Sequence, residues 1–354
     1  MTALALSSQL PTERRLWDLD LVTVDGRLLV VCAVEPWAYT WEPSEDRWTQ
    51  YRLDMPYRPD DFRAMVGHLP TSNDKDATLF TSVCAAVVDG RIVVGGAEYR
   101  ESFAQWDLAS AAVRVHASLN HGGTGKVATA WLNGRPFFIS CSDRTYMWDA
   151  ARTDTNGGPN VEPAVLYGNR DTVAGIAAGT LNGRPVVIFG CYDDTVVVWD
   201  VDTQSVVREF PCPIPVADVG LATVDGRTLM VAAGGSQVIL GDPDSGAWEW
   251  EGPIDEDSIG FDNEFDDEDE EEKEGSISCM DLSVVGGRPV AVTGSEDGQV
   301  CVWSLTERRL VHGPFNEHHG EEVVGVRVAN LDGRTVAITA GQDGRVLVWD
   351  LERS

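Results

Sequence analysis

Seven copies of one short pattern constrain this chain more than any other feature: Asp25-Gly26-Arg27, Asp89-Gly90-Arg91, Asn133-Gly134-Arg135, Asn182-Gly183-Arg184, Asp225-Gly226-Arg227, Gly286-Gly287-Arg288 and Asp332-Gly333-Arg334. The first two residues of each are those a two-residue type I′ hairpin prefers, since both positions need positive φ and the turn's twist then matches the flanking strands. The last copy shows the setting. An apolar run (Val323, Val324, Val326, Val328) leads to Asp332-Gly333, a second (Val336, Ala337, Ile338) leads to Asp343-Gly344, and a third (Val346, Val348, Trp349) ends at Asp350. Three short strands and two tight turns make an antiparallel meander.

Successive turn glycines are separated by 64, 44, 49, 43, 61 and 46 residues, so the base period lies in the mid-forties. A period of about 40–45 residues with four strands per unit is that of a β-propeller blade. The third strands close on Trp106-Asp107, Trp148-Asp149, Trp199-Asp200 and Trp349-Asp350, with Trp41-Glu42 and Trp303-Ser304 as variants and Gly241-Asp242 in place of the tryptophan. On these residues the chain resembles the WD40-repeat family over almost its whole length, in a form that the arginine usage described below places in a bacterium with a GC-rich genome. The resemblance implies an all-β fold, a seven-bladed WD40-like β-propeller spanning residues 1–354 as a single domain.

The last blade stops after its third strand, at Leu351-Glu352-Arg353-Ser354, while residues 1–12 carry no repeat signature. Ala3 to Leu10 is compatible with an extended strand, so it is expected to supply the missing fourth strand and leave no open sheet edge. Residues 57–78, with Pro59, Pro70 and mixed charges, read as a loop insertion between blades one and two. Pro136, Pro185 and Pro289 follow Gly-Arg directly, at strand starts where no ladder bond is lost. In blade five, Trp248 and Trp250 on the outer strand are candidates to fill the volume of the missing tryptophan.

Residues 255–274 hold 13 acidic residues and one lysine. So dense a block of like charge cannot collapse and is expected to be a disordered insertion between blades five and six. The net charge of the chain is −30, with 24 arginines and three lysines. That excess repels nucleic acid and anionic membranes. No apolar run approaches the ~20 residues of a membrane span. The chain has seven cysteines and no CxxC pair, which points to reduced thiols and a cytoplasmic location.

The Arg of each first turn and the acid after each third-strand tryptophan should face one another across neighbouring strands: Arg27 with Glu42, Arg91 with Asp107, Arg135 with Asp149, Arg184 with Asp200, Arg227 with Asp242 and Arg334 with Asp350. Arg288 meets the neutral Ser304. These pairs are read as repeat cement rather than as an anion site. The family resemblance also implies a buried structural network of His319, Thr339, Asp343 and Trp349 in blade seven.

No HExxH, GxSxG, phosphate loop or paired-cysteine motif occurs, so neither catalysis, a cofactor nor a metal is expected. The chain is read as a monomeric protein-interaction scaffold. Its partner would carry a basic surface and meet the face holding the outer-to-inner strand connections, gripped by Asp255, Glu256, Asp257, Asp266, Asp267, Glu268, Asp269, Glu270, Glu271 and Glu272. Two rival readings are an enzyme or small-ligand binder at the mouth of a central channel, and an acidic nucleic-acid mimic that regulates a basic protein.

Overall fold

In a computed structural model of the chain, all seven Xaa-Gly turns take positive φ at both positions, from Asp25 (50°) and Gly26 (77°) to Asp332 (52°) and Gly333 (80°). The hairpins on either side pair in the matching register, Val24 with Arg27 in the first and Leu331 with Arg334 in the last. The structure describes residues 3–34, 37–53, 80–98, 102–117, 126–141, 144–151, 164–168, 173–249, 275–315 and 319–352. Among them there is no helix, and the strands form seven four-stranded antiparallel sheets, the blades of a β-propeller. The insertions expected at 57–78 and 255–274, and Trp250, lie outside the described residues.

Contacts divide the chain into two compact units. Pro11–Arg170 holds blades one to three, whose inner strands are Asp18–Val24, Phe80–Val88 and Lys126–Leu132. The other unit, Met1–Leu10 with Asp171–Ser354, holds blades four to seven, with inner strands Val173–Leu181, Asp218–Val224, Ile277–Val285 and Val323–Leu331.

Blade seven is completed from the N-terminus. Strand Ala3–Gln9 pairs antiparallel with Arg345–Asp350, from Ala3 opposite Asp350 to Gln9 opposite Arg345, with an irregularity between Leu4 and Leu6. The Leu10 N–H donates to the Gly344 carbonyl at 2.9 Å and buries the Leu10 side chain.

Within each unit the apolar core lies between blades rather than inside them. Val22, Val31 and Ala38 of blade one pack with Val83, Val94 and Trp106 of blade two. Val292, Val300 and Val302 of blade six pack with Val326, Leu347 and Trp349 of blade seven. One sheet of four short strands cannot cover its own faces, so each blade depends on its neighbours. In blade five the tryptophan volume is filled by exchange: a Cβ on Gly241 would stand 2.7 Å from Trp248, which packs into the adjoining core and donates its indole N–H to the Pro211 carbonyl at 2.7 Å.

A second link between blades is polar. Aspartates on inner strands use one carboxylate oxygen for the next amide of their own strand and send the other to the next blade, and in the case of Asp20 also to blade three. Asp18 accepts from Leu19 N–H, and from Ser82 Oγ (2.6 Å) and Val83 N–H (3.0 Å); Asp20 accepts from Leu21 N–H, and from Ala85 N–H (2.8 Å) and Thr129 Oγ1 (3.1 Å). In the other unit Asp218 accepts from Val219 N–H and, across the junction, from Met280 N–H at 3.0 Å. Asp281 does the same with Leu282 and Val328.

Candidate partner-binding face

In a blade that runs inner to outer, the first and third turns fall at one end. The second turn and the connection to the next blade fall at the other. The arginines occupy the first end, and their pairs form in six blades. Arg91 meets Asp107 at 2.5 Å, Arg135 meets Asp149 at 2.6 Å, Arg334 meets Asp350 at 2.6 Å and Arg184 meets Asp200 at 3.4 Å, while Arg27 lies 3.5 Å from Glu42 and Arg227 pairs with Asp242. Arg288, expected to face Ser304, instead reaches Glu307 at 3.7 Å, because Ser304 turns its hydroxyl to the Glu307 N–H.

Each of these aspartates has a second task. While Oδ2 takes the arginine, Oδ1 caps the turn after the third strand, accepting from Ala109 and Ser110 at Asp107, from Thr203 at Asp200, and from Asp244 and Ser245 at Asp242. The carboxyls of Asp200 and Asp242 sit below the ordinary aspartate range chiefly because these turn amides donate to them, the arginines adding less. Glu42 is one methylene longer and does not cap: among the described residues its Oε1 has no hydrogen-bond donor, while Oε2 takes Arg47.

The opposite end of blades four to seven is acidic. The described second turns of these four blades, and the described connections that join one of the four to the next, carry Asp193, Asp194, Glu296, Asp297, Glu321, Glu322 and Asp343 against Arg345. Tyr192 stands out from it, 65% exposed. Local bonds hold these carboxylates in place. Asp193 accepts from Thr195 N–H at 3.2 Å, Asp297 from Gln299 Nε2 at 2.6 Å and from Ser295 Oγ, and Glu322 from Gln342 Nε2. Asp194 titrates above the ordinary aspartate value, mainly through burial, which outweighs the hydrogen bond from Val216 N–H, with Asp193 adding repulsion.

The four residues singled out in blade seven meet at this end. His319 is fully buried, with Nε2 2.9 Å from Thr339 Oγ1 and Nδ1 3.2 Å from Asp343 Oδ1; Trp349 Nε1 donates to the same Thr339 hydroxyl at 3.0 Å. Burial alone would raise the Asp343 carboxyl. Hydrogen bonds from His319 and from the Gly320 and Arg345 amides outweigh it and hold the group well below the usual range. Among the described residues blade six keeps the outer half of the arrangement, Trp303 Nε1 to Thr293 Oγ1 at 2.9 Å, and blade three has Trp148 Nε1 to Ser140 Oγ at 2.8 Å.

A family model described as "WD domain, G-beta repeat" matches residues 270–304, which include the inner three strands of blade six. With the seven blades, the match supports a WD40 β-propeller. No curated protein matches the chain. Among the described residues of this WD40-type structure, no group of three His, Cys, Asp or Glu side chains could hold a metal ion. Among the same residues no helix is long and apolar enough to cross a membrane. All seven cysteines are thiols, six of them buried. The acidic residues expected to grip a partner, Asp255 to Asp257 and Asp266 to Glu272, lie outside the described residues. Sequence reasoning missed the inner-strand aspartates, and it missed Arg47, which adds a second cation to Glu42.

Proposed function

We propose that this protein is a non-catalytic, monomeric interaction scaffold whose partner docks, through a basic surface, on the end carrying the outer-to-inner connections. WD40 propellers commonly act as protein-interaction scaffolds, and the acidity of this end in blades four to seven is the observation that carries the finer reading. The described residues flanking the segment 255–274 add support. Outer strand Trp248–Glu249 runs towards this end, and Gly275 packs directly on Asp297, with Ser276 accepting the Glu296 N–H at 2.9 Å. The 13 carboxylates of the segment would then add to those already there. The rarity of lysine and the reduced cysteines support a bacterial cytoplasm as the setting.

The test is affinity capture with the full chain, with a chain lacking residues 255–274, and with a variant neutralised at Asp193, Glu296, Asp297 and Glu321. A partner recruited by this face is expected to be eluted as ionic strength rises and screening shortens, and to be lost or weakened in both variants. A captured set that is indifferent to salt and to both changes contradicts the proposal.

A further inference from the structure

At the arginine-bearing end of blades one and two the sheets splay apart into a cleft of about 260 Å³. Val24, Leu29, Ile92 and Leu108 give it an apolar lining, while Arg27, Arg47 and Arg91 give it three guanidinium groups. Thr40, Thr49 and Tyr51 add hydroxyls. The three arginine side chains are 50%, 54% and 40% exposed, whereas Glu42, which orients two of them, is 2% exposed. Arg47 also pairs with Glu45 at 3.0 Å; each guanidinium has five N–H donors, and one such ion pair engages one or two of them, so donors remain on all three. The cleft therefore offers directed cationic donors above an apolar floor, on a chain whose net charge is −30.

The matching junction of blades five and six shows what this space looks like when closed. There the gap is about 10 Å³, and Arg308, in the last turn of blade six, bridges to Glu249 on the outer strand of blade five. The same two positions can be read across by register. Glu249 lies opposite Leu240 as Thr49 lies opposite Thr40. Arg308 and Ala111 are the positive-φ residues (53° and 56°) just before the outer strand of their blades. So where blade six places Arg308 the turn of blade two, Leu108-Ala109-Ser110-Ala111, has a methyl group, and where blade five places a carboxylate blade one has Thr49. Among the described residues no ion pair bridges the gap, yet the cations around it remain.

We propose that this cleft is a docking site for an extended segment of a partner protein that presents an acidic side chain beside an apolar one. The incoming carboxylate takes the role that Glu249 plays between blades five and six, and receives charge-assisted, fork-like hydrogen bonds from the arginines. The apolar neighbour covers Leu29, Ile92 and Leu108. The site is separate from the acidic end and selects the opposite charge.

A library of capped hexapeptides, randomised at one position at a time within a Leu-Glu-Leu core, tests this by fluorescence polarisation against the full chain. Glu or Asp at the centre is expected to bind about tenfold more tightly than Gln or Asn, a difference of about one Kd decade. The double variant Thr49→Glu with Ala111→Arg builds the bridge of blades five and six into this cleft. It is expected to abolish binding while unfolding at or above the temperature of the unchanged protein, which separates occlusion from misfolding. Arg47→Gln alone, which leaves Glu42 paired with Arg27, is expected to weaken binding about tenfold. Equal binding of Glu and Gln peptides, undiminished binding by the folded double variant, or equally tight binding of free glutarate would overturn the proposal.

Discussion

The Asp281 carboxylate, on the inner strand of blade six, accepts the backbone N–H of Val328, on the inner strand of blade seven, at 2.6 Å. With the matching bonds from Asp18 and Asp20 to blade two and from Asp218 to blade six, it fixes how far one blade may slide along the next. Apolar packing is tolerant of sliding and a directed hydrogen bond is not. These aspartates therefore set the register of the blade interface as the Xaa-Gly turns set the register within a blade.

Asp281 makes this bond at a cost that depends on pH. Burial pushes its carboxyl up to about 6, against the pull of Arg327 and of the Val328 and Leu282 amides, with Asp218 adding repulsion. Because the folded value lies above the unfolded one of about 3.9, the folded state binds the extra proton. The contribution of this group is fully present below about 4 and is lost as pH rises through about 6. Urea unfolding of the wild type and Asp281→Asn at pH 4.5 and 7.5 should show the wild type gaining on the variant by about 1–2 kcal/mol at the lower pH. A difference that is constant with pH would refute this.

Thr339 takes two buried donors or acceptors at once, His319 Nε2 and Trp349 Nε1, whereas Thr293 in blade six serves only Trp303 among the described partners. Thr→Val keeps the shape and removes the hydroxyl. Thr339→Val should cost about 3 kcal/mol and Thr293→Val about half as much, since each buried group left unpaired loses about 1–3 kcal/mol. Chemical denaturation of the two variants provides the comparison, and equal losses would show that the histidine adds nothing.

Gln105 is 4% exposed, and among the described residues neither its Nε2 nor its Oε1 finds a partner. Methionine has nearly the same shape without the amide. Gln105→Met should raise stability by about 1 kcal/mol, through removal of an unsatisfied buried polar group, measurable as a higher urea midpoint at unchanged slope. A lower midpoint would mean that the amide is satisfied in solution.

Much of the fold is legible in the sequence because each repeat states it independently. The Asp25-Gly26 type of turn, the Arg and Asp that face one another across its strands, and the prolines at strand starts are local signals, each read within one blade. What stays hidden depends on two blades at once. Asp20 and Asp281 read as ordinary polar positions of an alternating strand; only the register of the next blade turns them into links. The cleft beside Arg47 arises from the absence of bulk at Ala109 and Ala111, and a missing side chain leaves no motif. Trp248 is intermediate: the gap at Gly241 is visible in the sequence, and an aromatic nearby is the natural candidate to fill it. Of the site, the blade-seven network is what the family resemblance implies, whereas the acidic end is assembled from short groups of carboxylates in blades four, six and seven and has no contiguous signature.

The measurement that bears most directly on the claim that the blades stand only by completing and covering one another is the thermal unfolding of a chain lacking residues 1–10. Strand Ala3–Gln9 supplies the outer ladder of blade seven, and Leu10 is 2% exposed against it. Its removal bares the edge Arg345–Asp350 and should lower Tm by about 5 °C, the equivalent of about 3–5 kcal/mol in a chain of this size. Amide exchange in Arg345–Asp350 should rise with it. An unchanged melting temperature with exchange in that strand still slow would contradict the account.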